Sequence, residues 1–243
     1  MLFRSKDSKT TIDTLEPEMD DPGGGSDFAG FYNHLGVPIL EWGFGGPQGM
    51  YHSSYDSFHW LMKFGDPTFK YHATTAEIGA LMMLRMANAD ILPYDYVAYA
   101  KAMHILADTT AKNIAARGWV IPSTILTDAI GRMESAARAF NAVRDSALAE
   151  GELSVETRKR ANGLLLQVER TFVRPQGLQN RSWYRNVIYA ADNDNGYANI
   201  GLPSVNEAVH AGDQNLTVVE IRDLATRFDA AAKILMDAAQ SLR

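Results

Sequence analysis

The histidines are the side chains of this sequence best suited to metal or acid–base chemistry, because the chain contains no cysteine. None of them belongs to a His-Glu-x-x-His zinc motif, and the sequence also lacks a Gly-x-Ser-x-Gly nucleophile elbow and a phosphate-binding loop. His59, His72 and His104 lie in stretches with a helical pattern, where a histidine satisfied in the core or at the surface is commoner than a ligand. His52 differs, because it stands where a loop meets a predicted helix.

The loop before His52, residues 43–49, is rich in glycine. Its glycines allow the backbone to approach a bound group closely, which is typical of a loop that lines a site. A histidine after such a loop can present one ring nitrogen to a metal while a neighbour orients the other. An ordinary surface histidine after a plain surface loop fits the same residue types, so both interpretations stay open.

A run of Asp and Asn residues at 192–195 is the second candidate for chemistry. It resembles a calcium loop in composition, but Pro203 occupies the twelfth position, where such a loop needs glutamate. The run lies in a long stretch without helical pattern, residues 173–203. Trp183 and Tyr189 argue against disorder there, and long ordered loops of this kind are usually functional.

Composition limits the classes of protein that this chain can represent. Its 243 residues are 46% hydrophobic, which is enough for a substantial core in one large or two small domains. The formal net charge of −6 and the scattered basic residues argue against a nucleic-acid partner. No apolar run approaches the roughly 20 residues needed to span a bilayer. Residues 1–22 are polar, contain two prolines and are predicted to be irregular.

After a short strand predicted at 37–42, the sequence is mostly helical in pattern. Asp95 is expected to cap a helix that ends before Gly118, and Ser154 is expected to cap another. The stretch 69–89 is apolar nearly all round, which predicts a buried helix. Further helices are predicted at 27–35, 122–150 and 217–242.

The last helix has the clearest pattern. Thr217 and Glu220 have the spacing of a capping box. Apolar residues then recur at threes and fours, and they form one stripe that must pack on something: Val218, Ile221, Ala225, Phe228, Ala232, Leu235, Ala239 and Leu242. Packing within the chain and packing against a partner subunit both satisfy this pattern.

Several separated motifs resemble, in order, the closing segments of the di-zinc aminopeptidase and glutamate carboxypeptidase family. The resemblance is to the glutamate carboxypeptidase branch, which includes the transferrin receptor, and it covers roughly residues 24–243. The matching motifs are Gly-Ser-Asp-Phe at 25–28, Leu-Gly-Val-Pro at 35–38, Tyr-His-Ser-Ser-Tyr-Asp-Ser at 51–57, Lys-Phe-Gly-Asp-Pro at 63–67, Leu-Pro-Tyr-Asp at 92–95, Phe-Val-Arg-Pro-Gln-Gly-Leu at 172–178 and Tyr-Arg-Asn-Val-Ile-Tyr-Ala at 184–190.

The resemblance implies a mostly α fold in two parts. Residues 1–90 would be an α/β remnant, the tail of the α/β peptidase domain. Residues 91–243 would be an all-α helical bundle, the transferrin receptor-like dimerisation domain, and the chain would form a homodimer through it.

The resemblance also implies a set of site residues. His52 matches the last of five zinc ligands in the family, and Tyr51 matches the tyrosine that steadies the oxyanion. Tyr197 matches a tyrosine that helps to hold the terminal carboxylate of a peptide substrate. Glutamate-selective members have lysine where this chain has Gly196 and asparagine where it has Ser26, so selectivity for glutamate is not implied.

The first four zinc ligands and the general base lie upstream of these motifs in the family. A catalytic zinc needs about three protein ligands, so His52 alone would not hold one. We therefore expect a C-terminal fragment of a glutamate carboxypeptidase-like zinc peptidase, inactive and without zinc alone, which acts on peptides only with the missing part. The alternative is a receptor-like module without catalysis that dimerises or binds another protein.

Overall fold

Two units make up the chain in the computed structural model, which describes residues 2–3, 19–22, 24–44, 49–122 and 124–243. The small unit contains residues 1–22 and 40–89, and the helical unit contains residues 23–39 and 90–243. Most of the predicted glycine-rich loop, residues 45–48, lies outside the described residues, as do residues 4–18. The predicted division of the chain near residue 90 into two family domains stays a prediction.

The small unit begins with a three-stranded sheet of very short strands. Strand β1 (Leu2–Phe3) lies between β2 (Met19–Asp20) and β3 (Glu41–Trp42); it runs antiparallel to β2 and parallel to β3. The irregular structure expected over residues 1–22 therefore does not hold at β1 and β2. The predicted strand at 37–42 is present only in its last two residues.

Helices follow in the small unit. Helix α1 (Phe58–Trp60) continues into a π-helical turn (Leu61–Gly65), and α2 covers Lys70–Asn88. Asp66 orders the start of α2, because its Oδ2 accepts hydrogen bonds from the backbone N–H of His72 at 3.0 Å and lies 2.8 Å from the His72 Nδ1. These bonds lower the pKa of Asp66, although desolvation of the carboxyl acts in the opposite direction.

The prediction that residues 69–89 form a buried helix is right about the helix and wrong about its burial. Gly79 is the one buried residue of α2, and a Cβ there would lie 2.2 Å from the Trp42 ring. Large apolar side chains of α2 are exposed to solvent: Ile78, Leu81, Met83 and Leu84. An all-round apolar pattern predicts burial only where other segments surround the helix, and the described residues of the small unit leave these side chains uncovered.

The helical unit consists of five α-helices in its described part and a short two-stranded sheet. The helices are α3 (Tyr96–Ala116), α4 (Thr124–Glu150), α5 (Val155–Val168), α6 (Pro203–Ala211) and α7 (Gln214–Ser241). Two predicted caps are confirmed. The Asp95 side chain accepts hydrogen bonds from the N–H groups of the first turn of α3, and the Ser154 side chain accepts one from Thr157 at the start of α5.

Helix α7 forms the centre of this unit and packs on α4, α5 and α6. The predicted apolar stripe faces this core, where Phe228 lies 4.8 Å from Phe172 between ring centroids and both rings are fully buried. Packing within the chain therefore accounts for the stripe. The predicted fold class, a small α/β remnant and a helical bundle that make the chain mostly α, is confirmed.

The predicted capping box at the start of α7 is wrong. Helix α7 begins three residues earlier, and Asp213 is its N-cap, with a side chain that accepts a hydrogen bond from the Leu216 N–H at 2.8 Å. Thr217 and Glu220 are buried inside the helix. The chain turns sharply at Gly212, whose φ of 77° ends α6 and leaves Asp213 free to start α7.

The stretch 173–203 is more ordered than its sequence pattern predicts. Strands β4 (Tyr189–Ala191) and β5 (Asn199–Gly201) pair antiparallel, with Tyr189 opposite Gly201. They enclose the polar run found in the sequence. Residues 30–35 form a π-helical segment that ends at Gly36, where φ is 65°. No helix in the described part of the chain is both long and apolar enough to cross a membrane.

Candidate functional site

The loop between β4 and β5, residues 192–198, is held in one conformation by its own side chains. The Asp192 Oδ1 accepts hydrogen bonds from the N–H groups of Asp194 and Asn195 at 2.8 and 2.9 Å. The Asn195 Oδ1 accepts another from the Tyr197 N–H at 3.1 Å. These backbone hydrogen bonds lower the pKa of Asp192, so the carboxylate stays charged and keeps accepting them. The loop presents Gly196 and the side chain of Tyr197 to solvent.

The segment that leads to Ser26 lies directly against this loop. The Gly24 N–H donates a hydrogen bond to the Tyr197 carbonyl at 3.1 Å. A Cβ at Gly24 would lie 2.0 Å from the Ala198 carbonyl oxygen, so only glycine allows this approach. A Cβ at Gly25 would come within 3.3 Å of the Tyr197 ring. The structure thus brings together the segments that carry Ser26, Gly196 and Tyr197.

Arg181 fixes the other side of the same loop. Its Nη1 donates to the Ala191 carbonyl at 2.5 Å, and its Nη2 bonds to the Glu207 carboxylate on α6. Its guanidinium lies 4.8 Å from the centre of the Tyr184 ring. A cleft of about 710 Å³ with a mixed polar and apolar lining opens beside this pair, between α3, α6 and the loop. Arg181 therefore ties the end of β4, where the loop begins, to α6.

Tyr51 and His52 belong to the small unit, where they form a stacked pair. Their ring centroids are 3.8 Å apart, with an angle of 21° between the rings, and both side chains are exposed. His52 has a φ of 60°, in the left-handed region that non-glycine residues rarely adopt. The turn around it is fixed by Ser53, whose hydroxyl donates to the Met50 carbonyl at 2.7 Å. Such local backbone strain is concentrated at functional positions.

The described residues do not assemble a metal site around His52. No three His, Cys, Asp or Glu side chains among the described residues lie close enough to hold one ion. The role of His52 as a zinc ligand stays a prediction, and a zinc site would need further ligands beyond this described set.

Sequence reasoning did not single out Gly24, which contacts the loop, or three buried polar residues of the same unit: Asn33, Glu169 and Asn186. Glu169 is buried on the 3-10 turn Glu169–Phe172 that follows α5. Its position offered a signal, because it follows Leu165 by four residues on a helix whose buried face is otherwise apolar. A lone acid on such a face must find polar partners in the core.

Comparison with known families identifies a domain model that is similar to part of the chain. Residues 123–236 match the model of the transferrin receptor-like dimerisation domain. The match falls within the helical unit and covers α4 to most of α7, the helices that form its core.

Curated relatives carry peptidase names. The chain is 33% identical to "Probable glutamate carboxypeptidase LAMP1" of Arabidopsis thaliana over 77% of its own length and 26% of that protein. It is 34% identical to "Probable glutamate carboxypeptidase" of Arthroderma benhamiae over 88% of its length and 30% of that protein. Against "Aminopeptidase NAALADL1" of Rattus norvegicus, identity is 25% over 72% of this chain and 25% of that protein. The chain thus spans between a quarter and a third of the length of these relatives.

Proposed function

Because the chain belongs to the glutamate carboxypeptidase and transferrin receptor-like branch of the di-zinc peptidase family, we propose that it supplies the dimerisation domain and the last active-site residues of a zinc-dependent carboxypeptidase-type hydrolase. The observation that carries this proposal is the contact of Gly24–Gly25 with Gly196–Tyr197, which juxtaposes two segments matched to substrate-binding positions.

Each matched residue has a distinct part in this proposal. Tyr197 and Ser26 line a subsite for the terminal carboxylate of a peptide, and the Tyr197 hydroxyl donates a hydrogen bond to it. Gly196 places no side chain there, so the subsite lacks the lysine cation of the glutamate-selective members. Tyr51 donates to the oxyanion that develops during hydrolysis. His52 contributes one zinc ligand, and zinc supplies the activated water and the polarised carbonyl.

The chain alone is expected to be hydrolytically inactive. The described residues offer His52 without the further ligands that a catalytic zinc requires. The remaining ligands and the general base would come from other residues of a longer protein. Peptide substrates therefore belong to that complete protein in this proposal.

The helical unit is proposed to associate as a homodimer. The support is the match of residues 123–236, which cover α4 to most of α7, to a transferrin receptor-like dimerisation domain. The same match favours a second candidate function, a receptor-like module that dimerises without catalysis. The two candidates differ in whether the loop 192–198 binds a carboxylate.

Zinc content and molar mass of the purified chain test two parts of the proposal, the incomplete metal site and the homodimer. Elemental analysis and light scattering should find a dimer with less than one zinc ion per chain, and the His52→Ala variant should not differ. A monomer at micromolar concentration would contradict the dimer. Two tightly held zinc ions, lost in His52→Ala, would contradict the incomplete metal site.

A ligand titration separates the two candidate functions. Amide exchange of residues 192–198 is measured with a dipeptide that has a free C-terminal carboxylate and with its C-terminal amide. Slower exchange with the acid alone, reduced in Tyr197→Phe, supports the peptidase fragment. Equal exchange with both ligands favours the association module.

A further inference from the structure

A buried carboxyl lies at the common base of the two segments that form the proposed carboxylate subsite. Glu169 is 7% exposed, and its carboxyl interacts with the side chains of Tyr32 and Asn186. The Asn186 Nδ2 lies 3.4 Å from the Glu169 Oε1. Burial raises the pKa of Glu169 to about 7, while the hydrogen bonds from Asn186 and Tyr32 act against the increase.

The first segment, residues 24–35, reaches this carboxyl through Tyr32, and the neighbouring Asn33 bonds directly to the second segment. The Asn33 carbonyl accepts hydrogen bonds from the N–H groups of Arg185 and Asn186 at 2.8 and 2.9 Å. The Asn33 Nδ2 donates to the Tyr189 carbonyl at 2.8 Å. Tyr32 and Asn33 are both buried, so these bonds lie in the protein interior, where losing one is costly.

The second segment, residues 186–198, starts from the same place. The Asn186 Oδ1 accepts hydrogen bonds from the N–H groups of Ile188 and Tyr189 at 2.8 and 3.3 Å. Tyr189 begins β4, and β4 leads directly to Asp192 and the loop 192–198. Asn186 is fully buried and touches both the Glu169 carboxyl and the first segment.

The two segments therefore meet twice. At their base they are joined by the buried node, which we define as Tyr32, Asn33, Glu169 and Asn186. At their tips they are joined by the hydrogen bond from Gly24 to Tyr197. If the buried node shifts, both segments shift with it. Ser26 and Tyr197 at the tips would then be misplaced for binding substrate.

We infer that Glu169 is a positioning residue of the carboxylate subsite, which holds the Ser26 segment and the Tyr197 loop in register through Tyr32 and Asn186. This inference rests on the proposed function for the identity of the subsite. The coupling of the two segments through Glu169 rests on its burial, on its contact with Asn186, and on the hydrogen bond from the Asn186 N–H to the Asn33 carbonyl in the first segment.

The surroundings of Glu169 explain why its protonation matters for this role. The titratable side chains of the described residues that interact with it are tyrosines: Tyr32 from the π-helical segment, Tyr94 from just before α3, and Tyr96 and Tyr99 from the first turn of α3. A protonated carboxyl can donate one hydrogen bond and accept another, and it needs no counter-charge in this interior. A carboxylate at the same place would be a buried charge among phenols and amides.

Hydrogen exchange on the intact chain tests the coupling. Glu169→Ala is expected to speed amide exchange at least tenfold in both 24–35 and 186–198, with the α4–α7 core unchanged. Glu169→Gln keeps shape and neutrality and is expected to restore exchange to near the level of the unsubstituted chain. Glu134→Gln is the matched control, because this carboxylate pairs with Arg138 on the exposed side of α4.

Three results would overturn the inference: no change in Glu169→Ala, a change in only one segment, or an equal change in all helices. If Glu169→Ala does not fold, the pH dependence decides. Exchange of both segments, corrected for the intrinsic rate, should rise between pH 5 and 8 in the unsubstituted chain and stay level in Glu169→Gln; equal profiles would overturn the inference. A dipeptide that slows no exchange in the unsubstituted chain would count against the proposed subsite only.

Discussion

Gly24 and Tyr197 are joined by a backbone hydrogen bond of 3.1 Å, from the N–H of the first to the carbonyl of the second. The two residues are far apart in the chain, yet their backbones are in contact because Gly24 has no side chain. This bond joins the two segments at the tip of the proposed carboxylate subsite, and the buried node joins them at its base. The two contacts can be tested separately.

Gly24→Ala should open the tip without unfolding the helices. The new Cβ would lie 2.0 Å from the Ala198 carbonyl oxygen, a backbone atom that can yield only if the loop moves. Such a steric overlap typically destabilises a folded chain by roughly 1–3 kcal/mol. The variant can relieve it by moving the two segments apart. Exchange of the loop 192–198 should rise at least fivefold. Gly30→Ala in the same segment is the control, because nothing lies within 4 Å of its added Cβ. Equal effects of the two substitutions would contradict the argument.

The stability of the chain should decrease as pH rises towards neutral because of Glu169. Its pKa is about 7 in the folded chain against an ordinary value of 4.5, so the folded chain keeps a proton that the unfolded chain releases. The stabilisation is complete below pH 4.5 and is lost as pH rises through 7, by roughly 3 kcal/mol in all.

Urea unfolding at several pH values measures this loss, with Glu169→Gln as the comparison. The amide does not titrate, so the difference in free energy of unfolding between the two chains should grow in favour of Glu169→Gln from pH 4.5 to 7.5. A constant difference would mean that Glu169 titrates alike in the folded and unfolded chains.

Local sequence signals were sufficient for most of the helical unit. Asp95 and Ser154 act as caps through groups two or three residues away, so the sequence contains all partners of the interaction. The apolar stripe of α7 was also predictable, because the helical spacing of its apolar residues lies within one continuous segment. Tyr197 and Ser26 are predicted as site residues by motif resemblance alone, and no periodicity indicates them.

Contacts between distant segments were not predictable in the same way. Nothing in the sequence pairs Gly24 with Tyr197, and Glu169 shows its role only when Tyr32 and Asn186 reach it from two other segments. The capping-box prediction failed for a local reason, because Asp213 already caps α7 before Thr217. Glu220 has the right spacing from Thr217, but Arg174 binds it from elsewhere in the chain.

Asp213→Ala should destabilise the start of α7. The Asp213 side chain satisfies the Leu216 N–H, and loss of such a cap costs about 1 kcal/mol. Asp213→Asn should keep most of this stability, because its carbonyl oxygen can accept the same bond. The free energy of unfolding by urea measures both variants. Asn215 is exposed in the first turn of α7, so Asn215→Ala should change the free energy of unfolding little. A larger loss of stability in Asn215→Ala than in Asp213→Ala would contradict the assigned cap.

Arg174 and Glu220 form a buried ion pair that connects the start of the stretch 173–203 to α7. The Arg174 Nη1 lies 2.6 Å from the Glu220 Oε2, both residues are 6% exposed, and the Arg174 Nε also donates to the Gly177 carbonyl. Glu220→Ala leaves the arginine charge buried with only the more distant Asp223, so we expect a loss of about 3–5 kcal/mol in the free energy of unfolding. Asp229→Ala on the same helix breaks an exposed pair with Arg132 and should cost less than about 1 kcal/mol. Similar losses in the two variants would mean that water reaches Arg174 and screens its charge.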